Sequence, residues 1–263
     1  MAAFVAAGKR FTAKHIQKGG ETKPLQKSID IASGVAPSAK LVICRLETNI
    51  KCIIKALNWL IEEKKKEQNV LGVDVVSMSW GVVNEALNES AIQDRKKVRE
   101  QIEELSRLRV IFVAAAGNYG DTKPVLFPAR LSNVISVGAF DPYNKPANFT
   151  PSYGTDVYAP GTKIVFPLVH EDIHDGMAVT QGTSCATPVI AGLVALKIQF
   201  ERNKHELLKG MKDNLHVKSI LAGGENIDFE EMKKMFKRMR MDSDRPHVLL
   251  PYEYYRDICR LNI

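Results

Sequence analysis

Cysteine is scarce and unpaired in this chain of 263 residues. Cys44, Cys52, Cys185 and Cys259 form no Cys-x-x-Cys and have no histidine beside them. That spacing argues against a paired zinc site or a disulfide framework and leaves free, buried thiols as the reading. Long apolar runs are missing too. Val110–Gly117 and Pro188–Leu196 fall far short of the ~18 residues of a membrane span, so none is expected. Met1–Gly8 is apolar but has no basic leader before it, so no export signal is read and the compartment stays open. There is no internal repeat and no low-complexity stretch. At 45% apolar, 25% charged and 7% aromatic residues the composition is that of an ordinary globular protein. At roughly 150 residues per domain the length fits one large domain, or one domain with an appendage.

Charge is present but dispersed. The net charge is +7, and residues 1–40 hold seven Lys and Arg against two acids. These charges read as a loop, not as a basic helix face interleaved with aromatics, so no nucleic-acid partner is expected. From residue 40 onward, strand and helix patterns alternate. Leu41–Glu47 is a short apolar run. Residues 50–66 place Ile53, Ile54, Leu57, Leu60 and Ile61 on one helical face. Val73–Ser79 is β-branched and strand-like. A helix of about 18 residues starts near Ser90, where Ser90-Ala91-Ile92-Gln93 has capping-box form. Val110–Ala115 and Val134–Val137 are further strands. Continuous apolar strands between amphipathic helices predict a parallel sheet covered on both faces: an α/β, three-layer fold. Ser184–Phe200 is apolar nearly all round, as a buried helix is, with Pro188 in its first turn. Residues 205–221 and 228–241 read as two more helices, the last with a methionine stripe read as a packing face. The division expected is 1–224 for the main domain and 225–263 for a helical extension.

Three segments need special backbone chemistry. Gly182-Thr183-Ser184-Cys185-Ala186-Thr187-Pro188 sets a serine at the positive end of the buried helix, a place suited to an oxyanion. Ala114–Gly120 (AAAGNYG) puts Asn118 between glycines at the carboxyl end of a strand, where open α/β sheets bind ligands. Ser77-Met78-Ser79-Trp80-Gly81 ends another strand. Singly, each has a plainer explanation: an N-cap, a turn, a strand end.

In this order, the segments resemble the subtilisin-like serine proteases, the subtilases. GTSCATPVIAGLVAL is similar to the family's nucleophile motif, VIFVAAAGNYG to its oxyanion-asparagine strand and VDVVSMSWG to the strand walling the substrate cleft. GVAPSAKL and DVYAPG match two further segments. The resemblance implies a subtilisin-like fold and a serine endopeptidase working through an acyl-enzyme at Ser184. Asn118 and the Ser184 backbone N–H would hold the oxyanion. Ser79, Trp80 and Gly81 on one side, and Ala115, Ala116 and Gly117 on the other, would line the pocket for the substrate side chain. The partner implied is an extended polypeptide substrate. No cofactor and no metal site are expected, and the oligomeric state is left open.

The family's triad also needs an Asp-Ser/Thr-Gly turn and a His-Gly-Thr motif, and this sequence has neither. Met1–Gly8 resembles the helix that follows the catalytic histidine. The chain is therefore expected to lack the part bearing Asp and His, and to be inactive alone. None of its six histidines takes that setting; His170 and His174 are read as lying in a loop, and Asp121-Thr122 lacks the glycine of the Asp turn. The alternative reading is a pseudoprotease that binds peptides without cutting them.

Overall fold

In a computed structural model, the structure describes residues 2–18, 21–31, 33–47, 49–66, 72–83, 88–170, 173–210 and 228–238. Its centre is a parallel sheet of four strands, β3 (Val75–Met78), β4 (Ile111–Ala115), β5 (Val134–Phe140) and β6 (Val157–Pro160), in the order β3-β4-β5-β6. Its register runs Val75↔Ile111, Phe112↔Val134 and Val137↔Val157. Successive side chains leave by opposite faces. Ile111 and Val113 enter one hydrophobic cluster, while Phe112 and Ala114 enter another.

Both faces are covered, as continuous apolar strands require. On one face lie α2 (Ile50–Lys65) and α3 (Glu89–Arg107). The stripe Ile54, Leu57, Leu60 and Ile61 packs with Val98, Ile102 and Leu105. Asn49 caps α2 through Lys51 N, and Asn88 caps α3 through Ala91 N, at 2.9 Å each. The α3 cap thus stands two residues before the expected Ser90. On the other face lies α4 (Thr183–Gly210). It is one continuous helix where a break before residue 205 was expected, and residues 211–227 lie outside the description. Because α4 starts at Thr183, Pro188 is its sixth residue and sits in the interior, not in the first turn. Thr183–Asn203 is long and apolar enough to cross a membrane, with mean hydropathy 1.3, although separate apolar runs were too short to suggest it. In the fold eleven of these 21 residues are buried, concentrated in the first half, the placement of a core helix. Gly192 lets α4 pack closely on Val35 and the end of the N-terminal helix. A Cβ there would lie 2.8 Å from Val35 and 3.2 Å from the Ala6 carbonyl at the end of α1 (Ala2–Ala7).

The C-terminal helix α5 (Phe229–Arg238) joins the α4 side of the core through Met232 and Phe236. Lys233 Nζ adds an ion pair with Asp156 Oδ1 at 2.9 Å. The rest of the expected helix, with Met239, falls outside the described residues.

Four expectations are corrected here. Residues 1–40 do not form a loop. Strands β1 (Phe11–Lys18) and β2 (Glu21–Ile31) pair antiparallel and join β7 (Ile164–His170) and β8 (Ile173–Thr180) in a second sheet, ordered β2-β1-β8-β7. Lys18 faces Glu21 in the register, so the two strands pair as a hairpin that the density of lysines concealed. His170 and His174 accordingly belong to strands β7 and β8 and not to a loop. Conversely, Leu41–Glu47 is not a strand: β3 is an edge of its sheet, and this run pairs with no strand among the described residues. Leu41, Val42 and Ile43 stay 47%, 46% and 73% exposed, and Cys44 is exposed with them, against the expectation of four buried thiols.

Candidate active site

The N-terminus of α4 meets the carboxyl ends of β3 and β4. Gly182 precedes the helix with φ +142°, a conformation that favours glycine, and its N–H donates to the Gly161 carbonyl at 2.7 Å. Thr183 is buried. Its N–H and hydroxyl both donate to Asn118 Oδ1, at 2.8 and 2.9 Å. Gly117 N–H returns a bond to the Thr183 hydroxyl at 3.2 Å. Gly117 itself has φ +119°, so the loop carrying Asn118 turns where a side chain would be strained.

These bonds settle the orientation of the carboxamide. Its oxygen is held by Thr183, which leaves the Nδ2 donors on the other side. Asn118 is exposed and Ser184 half-buried. A Cβ built on Gly182 would stand 3.1 Å from Asn118 Nδ2 and 3.1 Å from Ser184 Oγ. The amide donor and the hydroxyl thus flank one point, at the positive end of a 28-residue helix.

The cleft residues divide by face. Ser79 turns toward α4, where its hydroxyl donates to the Ser184 carbonyl at 2.9 Å. Trp80 turns the opposite way and packs half-buried against the α2–α3 cluster. Ala115 and Ala116 are buried at 6% and 0% exposure. The Ala116 backbone is already engaged, its N–H with the Val137 carbonyl and its oxygen with Leu126 N–H. Between the two walls lies a residue that sequence reasoning missed. A Cβ on Gly81 would come within 2.8 Å of Leu126 Cβ, and one on Gly117 within 2.8 Å of Leu126 Cγ. The Leu126 side chain therefore fills the space between the paired glycines. An ordinary leucine in a loop carries no sequence signal of that placement.

Other polar groups are committed elsewhere. His15 Nδ1 bonds Asp175 Oδ1 at 2.6 Å on the second sheet. That bond, more than the neighbouring Lys14, holds the Asp175 carboxyl below the usual aspartate value. The Asp121 carboxylate accepts from Ser152 N and Oγ, at 2.7 Å each. Burial pushes the Cys185 thiol up to about 11, so no thiolate competes beside Ser184 at neutral pH. Among the described residues there is no group of three or more His, Cys, Asp or Glu placed to hold a metal ion.

Comparisons with known proteins bear on the family and the fold. The sequence profile of the Subtilase family matches residues 1–221. A subtilisin-like protease of Coccidioides posadasii is 31% identical over 199 residues, covering 73% of this chain and 46% of that protein. The minor extracellular protease Epr of Bacillus subtilis is 30% identical over 169 residues, 62% of this chain and 23% of Epr. Subtilisin BL of Lederbergia lenta is 29% identical, with 67% of this chain and 60% of that protein aligned. The chain thus spans less than half the length of the first two of these relatives. Among solved structures, a lanthipeptide protease superposes with a TM-score of 0.58 at 18% identity, over 82% of this chain and 68% of its own. The prenylagaramide maturation protease PagA gives 0.55 at 19%, over 81% and 67%. At such identities these two speak for the fold.

Proposed function

Because the chain belongs to the subtilase family, we propose that it carries the nucleophile and oxyanion half of a serine endopeptidase site. Ser184 Oγ attacks the scissile carbonyl and forms the acyl-enzyme. Asn118 Nδ2 and the Ser184 backbone N–H receive the negative charge that develops on the carbonyl oxygen. The observation supporting this is the shared 3.1 Å approach of Asn118 Nδ2 and Ser184 Oγ to one point beside Gly182. The substrate lies extended along the main chain of Ser79–Gly81 and Ala115–Gly117. Leu126 between Gly81 and Gly117 shortens the pocket, so the reading favours small side chains just before the cleaved bond.

Turnover needs a base on the Ser184 hydroxyl. The sequence holds no histidine in a His-Gly-Thr setting, and His15 is bonded to Asp175. In subtilisin, loss of the base costs about 10⁶ in turnover, leaving roughly 10³–10⁴ over water from the oxyanion hole and binding. The reading therefore assigns these 263 residues peptide binding and slow acylation, with hydrolysis dependent on a segment bearing His and Asp. The same observation favours the second reading, a peptide-binding pseudoprotease. Intact-mass analysis after a fluorophosphonate probe separates them. One slow adduct, absent from Ser184→Ala, supports the enzyme reading. Binding of extended peptides with no adduct transfers the chain to the pseudoprotease. A folded chain doing neither refutes both.

A further inference from the structure

Proline lacks a backbone N–H, and inside a helix it leaves the carbonyl four residues earlier without its donor. Pro188 is interior to α4. The carbonyl four residues before it belongs to Ser184, the residue read above as the nucleophile. The Ser79 hydroxyl donates to that same oxygen at 2.9 Å, across 105 residues of sequence and from a different element. We infer that Ser79 is a positioning residue: its side chain replaces the donor that Pro188 removes and so fixes the backbone of Ser184. The inference rests on the nucleophile reading and adds a role to the cleft wall that the wall's shape does not imply.

The geometry gives the bond a second consequence. Holding the Ser184 carbonyl fixes the peptide plane that leads out of the nucleophile, and with it the direction in which the side chain leaves the main chain. The donor stands at the carboxyl end of β3, on the wall along which the substrate is proposed to lie. One hydroxyl thus sets the distance between that wall and the attacking oxygen. Ser79 faces α4 while Trp80 faces the α2–α3 cluster, so the strand's alternation lets residue 79 reach the helix and not its neighbour.

The test exploits the proline. In Ser79→Ala the Ser184 carbonyl loses its donor; in the double variant with Pro188→Ala the helix supplies an N–H in its place. Phosphonylation of Ser184 by the fluorophosphonate, which forms an Oγ–P bond and releases fluoride, is expected to slow about tenfold to a hundredfold in Ser79→Ala. It should return to near the wild-type rate in the double variant and in Ser79→Thr, which keeps a hydroxyl. Loss of the wall's packing alone would not be rescued by Pro188→Ala. A wild-type rate of phosphonylation in Ser79→Ala, or a loss that Pro188→Ala leaves unrepaired, overturns the inference. If the wild-type chain forms no adduct, the endopeptidase reading fails separately, and thermal midpoints decide. Pro188→Ala raising the midpoint more in the Ser79→Ala background than in wild type supports the bond, and strictly additive midpoints overturn it.

Discussion

The two sheets of this molecule answer to different pressures. Every residue of β4 and β5 is buried, with helices above and below, and the candidate site stands at the end of that sheet. In β2 of the outer sheet, by contrast, Ile31 is the one buried residue, and Lys14, Lys18, Lys23 and Lys27 line β1 and β2. The inner sheet places chemistry with precision because nothing in it can move without opening a core. The outer sheet carries four lysines against Glu21, Asp30 and Asp175, and none of the proposed catalytic groups. Net charge was therefore a poor guide to function here, while the positions of glycine, asparagine and serine were a good one.

The largest expected effect breaks the core of the inner sheet. Phe112 is fully buried, so Phe112→Ala should cost about 3–5 kcal/mol in chemical denaturation. Ile16→Ala, at a half-buried position of the outer sheet, should cost under about 1.5 kcal/mol. Equal costs would show that the two sheets do not differ as described. Next comes the pocket. Leu126→Ala should raise binding of peptides with a larger side chain before the scissile bond, relative to alanine there, by roughly tenfold, or about 1–2 kcal/mol. An unchanged ranking in competition binding would remove Leu126 from the specificity argument.

The smallest effect belongs to the outer sheet and depends on acid. Asp175 has its carboxyl lowered in the fold, first by the His15 bond and further by Lys14. A group lowered on folding stabilises the protein above its ordinary value, and the contribution is lost as pH falls through the lowered one. Amide protection factors in β1 and β8, which correct for the intrinsic pH dependence of exchange, should therefore fall at acid pH, while those of β4 and β5 hold. Asp175→Asn should abolish that difference between neutral and acid pH. Acid-driven opening of the inner sheet before the outer one would contradict the assignment.

Much of the inner sheet was legible because its signals are local. β4 and β5 are unbroken apolar runs, and the α2 and α3 stripes repeat with helical period. Asn118 and Ser184 were marked by the backbone that surrounds them, since Gly117 and Gly182 both take positive φ. The rest depends on distance along the chain. The β1–β2 hairpin has weak alternation and many lysines, so only Gly19-Gly20 could have signalled it. Leu41–Glu47 has strand composition, but a strand needs a partner, and composition does not supply one. Leu126 and the bond from Ser79 to Ser184 join residues that only the fold makes neighbours.

The central claim is that Asn118 and Ser184 act on one reacting centre. Its most direct test is equilibrium binding of a peptidyl boronic acid, whose boron becomes tetrahedral on adding the Ser184 oxygen and needs no turnover, read by ¹¹B NMR and calorimetry. The account expects a tetrahedral signal in the wild-type chain, none in Ser184→Ala, and an affinity lower by about 10²-fold in Asn118→Ala. A tetrahedral signal that survives Ser184→Ala, or wild-type affinity in Asn118→Ala, would contradict it.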